Sequence, residues 1–64
     1  MREPYIALIW VEDETAKPKR EIIYAKSMYG VSKHIDNIYP KRKLLIISKA
    51  NAFDIKKDDE VHTI

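Results

Sequence analysis

The chain contains no cysteine and only one glycine, Gly30, and its longest uninterrupted apolar run, Tyr5 to Val11, is seven residues long. Without cysteine there is neither a disulfide framework nor a thiolate metal site, and the absence fits a reducing compartment such as the cytoplasm. The apolar run ends at Glu12-Asp13-Glu14, far short of the roughly 20 residues that a membrane helix needs. No small-residue cleavage site follows it, so a secretory signal is not expected either. Charge of neither sign dominates: twelve basic side chains face ten acidic ones, for a formal net charge of +2. That balance permits contact with nucleic acid without arguing for it. No repeat or low-complexity stretch is present.

A chain of 64 residues makes one domain, and a domain of this size buries only about 60% of the surface its unfolded chain exposes. Small domains recover the deficit through disulfides, metals or oligomerisation. With no cysteine to support the first two, self-association is the expected route.

What is present reads as a small α+β fold. Tyr5 to Val11 is rich in β-branched and aromatic residues with no polar alternation, the pattern of a strand covered on both faces. Residues 13–19 are polar and contain Pro18, which predicts a long hairpin loop. Arg20 to Ala25 is the second strand, with Arg20, Ile22 and Tyr24 on one side and Glu21, Ile23 and Ala25 on the other. Ser27 is a good helix N-cap, although Gly30 stands where a capping box needs an acidic side chain. Met28, Val31, Ile35 and Ile38 form one apolar stripe, and Pro40 stops the helix at Tyr39. Lys41, Arg42 and Lys43 follow, where positive charge favours the helix C-terminus. Leu44 to Ser48 is the third strand.

This β-β-α-β order predicts a three-stranded sheet in the order 2-1-3 with one helix on one face. Ala52 to Ile55 is expected to form a short fourth strand or an arm over the core. Residues 1–55 make the domain, and residues 56–64 a polar, flexible C-terminal tail. One helix covers one face only, so either Tyr5, Ala7, Ile9 and Val11 or Ile6, Leu8 and Trp10 need another cover. At about 25 cal/mol per Å² of apolar surface, the bare set leaves several kcal/mol of burial unrealised. A homodimer joined through Ile6, Leu8, Trp10, Leu45, Ile47 and Phe53 is the expected solution, and a monomer whose C-terminal arm covers the face is the alternative.

Two further surfaces are candidates for binding. Lys17, Lys19, Arg20, Lys41, Arg42 and Lys43 should meet at one end of the sheet and offer a rim for nucleic acid, with Tyr24 and Tyr39 nearby for stacking. Glu12, Asp13 and Glu14 emerge at that same end and neutralise about half of the rim. At the opposite end, Lys26, Ser27, Tyr29 and Gly30 surround the helix N-terminus, whose free N–H groups suit a nucleotide-like anion. Tight packing of helix on strand, or tolerance of glycine near a helix start, is the commoner explanation of Gly30 and is preferred over an anion site. His34 reads as a boundary residue and His62 as a tail residue, with no second ligand at metal spacing. Ser27 and Ser32 have no neighbouring base, and Asp58-Asp59-Glu60 lacks the glycine and spacing of a calcium loop. No catalytic residues, metal ligands or cofactor are expected.

Ala25-Lys26-Ser27, Ile35, Tyr39-Pro40 and Leu44-Leu45-Ile46-Ile47 together resemble the pattern of small accessory proteins of bacteriophages and mobile elements. In those proteins a hairpin leads through an Ala-x-Ser cap into one helix, then Tyr-Pro and a return strand. The resemblance implies a nonenzymatic inhibitor or regulator that binds a host or phage component; the partly neutralised basic rim separately favours a protein partner over nucleic acid. Gly30 departs from the pattern, in which an acidic residue is commoner.

Overall fold

Side chains alternate along β1 (Glu3–Trp10), so Tyr5, Ala7 and Ile9 share one face of the sheet and Ile6, Leu8 and Trp10 the other. β2 (Lys19–Ala25) pairs antiparallel with β1, setting Ile23 opposite Tyr5 and Glu21 opposite Ala7. β3 (Leu44–Lys49) pairs antiparallel with the other edge of β1, setting Leu45 opposite Ile9 and Ile47 opposite Ala7. Between β2 and β3 runs the helix α1 (Met28–Ile38). A computed structural model describes every residue except Glu14 and Ala52. It shows an α+β domain whose mixed sheet has the order β3-β1-β2-β4, so the expected 2-1-3 arrangement is extended by β4 (Glu60–Thr63).

The core lies between α1 and one sheet face. Tyr5, Ala7, Ile9, Ile23 and Ala25 meet Val31 and Ile35 there, and none of them is more than 4% exposed. Full burial of each aliphatic side chain is worth about 1.5–3 kcal/mol. Ser27, in extended conformation, caps the helix by accepting at Oγ from the Gly30 N–H at 3.2 Å. At the other end the Tyr39 N–H donates to the Ile35 carbonyl at 2.8 Å before Pro40 stops the ladder. Only the middle of the expected apolar stripe reaches the sheet, because Met28 and Ile38 are each 44% exposed.

Two expectations are corrected. Residues 60–63, read as part of a flexible tail, form β4 and pair in parallel with β2. Glu60-Val61-His62-Thr63 alternates in the strand period, and the pairing satisfies backbone groups along the outer edge of β2 that would otherwise face solvent. The register continues with the Ile64 N–H donating to the Tyr24 carbonyl at 3.0 Å, and Ile64 packs against the core. The fourth strand expected at 52–55 is not found among the described residues: Ala52 lies outside them, Phe53 and Asp54 make a turn, and Ile55 is in neither helix nor strand. Asn51 Oδ1 accepts from the Phe53 N–H at 2.9 Å and Asp54 Oδ2 from the Asn51 N–H at 3.1 Å, local bonds that replace a strand ladder.

The segment joining β3 to β4 must pass from one sheet edge to the other, and it does so over the face opposite α1. Arg20 projects from that face, donating to the Asp54 carbonyl and to both Asp59 oxygens at 3.0 and 3.1 Å. Ile22 beneath the segment is fully buried and Ile6 is 8% exposed. Phe53 points away from it and is 97% exposed. Removing residues 60–64 should therefore lower the urea midpoint of unfolding followed by circular dichroism, whereas Phe53→Ala should shift stability by less than about 0.5 kcal/mol. An unchanged midpoint in the shortened chain would exclude β4 from the folded unit.

Candidate functional site

The parallel pairing of β4 with β2 sets Glu60 beside Glu21 and His62 beside Ile23. Since Glu60 and His62 are two residues apart on a strand, both side chains project to the face that carries Glu21. Glu21 is 3% exposed, the one charged residue among the described residues that is buried as a whole. Its Oε2 accepts from the Tyr39 hydroxyl at 2.7 Å. Its Oε1 stands 3.1 Å from His62 Nε2, and that nitrogen is 3.7 Å from Glu60 Oε2. The approach of Oε1 to the imidazole lacks hydrogen-bond geometry, so Glu21 Oε1 and His62 Nε2 are both buried and unpartnered. His34 on α1 completes the cluster, its ring centroid 5.6 Å from that of His62 and its own buried Nε2 also without a partner.

Tyr39 occupies its place because Pro40 ends the helix there, delivering the phenol to the start of β2. The hydrogen bond it gives Glu21, then burial, then the negative charge of Glu21 and Glu60 push its pKa up to about 12. Lys19 Nζ lies 5.5 Å from the centre of the Tyr39 ring, within cation–π range. On the opposite face, the Lys56 backbone N–H at 2.8 Å, together with the Arg20 guanidinium, holds the Asp59 carboxyl below its ordinary range. That second cluster ties the β3–β4 segment to β2.

The residues singled out in the sequence are distributed differently. The starts of β2 and β3 do lie at one end of the sheet, where Lys19 and Lys43 flank the end of β1. Two of the six basic side chains are already engaged within the chain: Arg20 with Asp59, and Arg42 with Asp36 of α1. Glu14, expected to oppose the rim, lies outside the described residues. The six proposed interface residues do not share a face. Leu45 and Ile47 sit opposite Ile9 and Ala7 and pack against the core under α1. The strand period instead places Leu44 and Ile46 beside Trp10 and Leu8 on the far face, where they are 36% and 47% exposed.

At the helix N-terminus, Lys26, Ser27 and Tyr29 are exposed, and a Cβ built on Gly30 would meet Ile64 Cδ1 and Ser27 Oγ at 3.8 Å. Those are ordinary contacts, so nothing in the packing requires glycine. The buried Glu21 cluster was missed in the sequence because two of its members stand in the segment read as a tail. The one available signal was the Glu60-x-His62 alternation.

No family model, curated protein or solved structure matches the chain. No helix among the described residues is long and apolar enough to cross a membrane.

Two outcomes follow from this geometry. A phenol whose folded pKa lies above its unfolded value of 10.0 contributes stability that is complete below that pH and is lost as pH rises through the folded value. Urea midpoints measured from pH 9 to 12 should thus fall more steeply for the native chain than for Tyr39→Phe; parallel curves would show that the Tyr39–Glu21 bond does not persist in solution. Gly30→Ala should raise the melting temperature, with a gain of up to about 1 kcal/mol from helix propensity, and a loss of stability would show that the backbone there does need glycine.

Proposed function

We propose that this chain is a nonenzymatic, cytoplasmic binding protein that works as a homodimer joined along β3 and acts on a protein partner. The observation that carries the reading is an edge strand with an exposed aliphatic face. Among the described residues β3 pairs only with β1, and Leu44 and Ile46 are substantially exposed on it.

The backbone of β3 is prepared for a further strand. The Ala50 N–H donates in register to the Pro4 carbonyl at 3.0 Å, and main-chain groups alternate in direction along an antiparallel strand. Those of Leu44, Ile46 and Ser48 therefore face β1, and those of Leu45, Ile47 and Lys49 face outward. A second copy of this chain satisfies them. Antiparallel pairing of β3 with itself about Leu45 sets Leu44 against the partner's Ile46. It also joins Trp10, Leu44 and Ile46 of both copies into one apolar strip, and covering several such side chains is worth several kcal/mol. Lys43 and Lys49 bracket the strand, as charged residues do where an edge must not pair indiscriminately.

A dimer of this form leaves the charged β1–β2 hairpin loop free for the partner, which is the inhibitor or regulator role that the sequence resemblance suggests. The nucleic-acid reading is weaker, since Arg20 and Arg42 are spent on internal carboxylates.

Molar mass measured by sedimentation across a dilution series should give a dimer that persists in high salt, and Ile46→Lys should give a monomer with an unchanged circular dichroism spectrum. Because the chain has no cysteine, Leu45→Cys offers one thiol per copy and should form a disulfide-linked dimer on mild oxidation. A native chain that stays monomeric at the highest soluble concentration would overturn the reading.

A further inference from the structure

We propose that Glu21, Glu60 and His62 form a binding site for a divalent transition-metal ion, with zinc the occupant that the donors and spacing fit best. The three residues each offer one ligand atom, and these atoms lie within 4.8 Å of one another. Zinc bonds to nitrogen and oxygen at about 2.0–2.1 Å in a tetrahedron, which places neighbouring ligands roughly 3.3 Å apart. The Glu21 Oε1 to His62 Nε2 distance of 3.1 Å and the His62 Nε2 to Glu60 Oε2 distance of 3.7 Å bracket that separation. Calcium and magnesium prefer oxygen donors alone, so the imidazole turns the choice towards zinc.

The site is more than a cluster of acidic groups. Glu21 is 97% buried, as its 3% exposure requires, and its Oε1 is aimed at His62 Nε2 without a hydrogen bond to it. An unpaired polar group in such a place costs free energy, and an ion between the two atoms removes that cost for both. Two carboxylates and a neutral imidazole also cancel the charge of a divalent ion, which suits a partly buried site.

Tyr39 supplies what metal sites require around their ligands. By donating to Glu21 Oε2 at 2.7 Å, it fixes the carboxylate so that Oε1 is the oxygen left for the ion. His34, with its own unpartnered Nε2 close by, adds a second imidazole at the edge. A groove lined by Lys19, Arg20, Glu21, Tyr39, Asp58 and Glu60 opens beside the two carboxylates. Since Glu21 is on β2, and Glu60 and His62 are on β4, the ion would clamp the last strand onto the sheet.

The test is calorimetric titration of zinc into the full chain carrying no histidine tag, with cobalt absorption spectra as a second readout. The native chain should bind one ion per chain and show the intense visible bands of tetrahedral cobalt. His62→Ala should weaken zinc binding at least tenfold, and Tyr39→Phe, which keeps every ligand, should weaken it by roughly 10–100-fold. Circular dichroism of both variants without metal checks that they fold. Ile46→Lys should bind zinc like the native chain, which separates this site from the dimer. Absence of saturable binding, or equal affinity in the native chain and His62→Ala, would overturn the proposal.

Discussion

A carboxylate that cannot reach water constrains this molecule more than any other single group. Glu21 stands on β2 opposite Ala7 of the central strand, and the pairing of β4 outside β2 makes its own strand internal. Burial of an unpaired charge costs several kcal/mol even after relaxation. The chain meets that cost by bringing three separate segments to one side chain. The helix end delivers Tyr39, the last strand delivers His62 and Glu60, and the helix body delivers His34 behind them. The polar cluster thus depends on the same pairing that completes the sheet, so the stability of β4 and the composition of the site are one problem.

The two faces of the sheet are covered by different means. On one, an eleven-residue helix buries Val31 and Ile35 against β1 and β2. On the other, a segment whose described residues make turns but neither helix nor strand crosses from edge to edge, held by Arg20 to Asp54 and Asp59. These crossings run in opposite directions over opposite faces, so both have the same hand, as expected when strands of one twist are joined in parallel. The irregular cover is narrower than the face it serves. Ile6 and Ile22 lie beneath it, while Leu44 and Ile46 on the outer strand do not. The resulting asymmetry lies in the edges: among the described residues the outer edge of β2 is closed by β4 of the same chain, whereas β3 pairs only with β1.

Much of the fold was legible because its determinants are local. Ser27 and Pro40 bound the helix through cap and stop chemistry, Pro18 marks the hairpin loop, and the apolar runs at Tyr5 and Leu44 announce strands. The site was not legible, because its members are distant in sequence and none of them has a partner at a telling spacing. His62 in a polar stretch reads as solvated, and Glu21, though placed on the side of Ile23 and Ala25, has no polar partner within its own segment. Only the register that puts Glu60 beside Glu21 turns two ordinary carboxylates and an imidazole into neighbours. The same applies to Leu45 and Ile47, whose chemistry suits an interface but whose position under the helix assigns them to the core.

The sequence by itself determined the element order, the helix boundaries, the parity of side chains along β2 and the 2-1-3 core of the sheet. Each of these follows from backbone sterics, strand period and the apolar content of neighbouring residues. Tertiary structure alone decided that the polar C-terminal stretch becomes a strand, that the linking segment shields the second face, and that Glu21 is sealed within a cluster. Those outcomes arise from pairing between segments some 40 residues apart, and no local preference encodes which edge a short alternating strand will join.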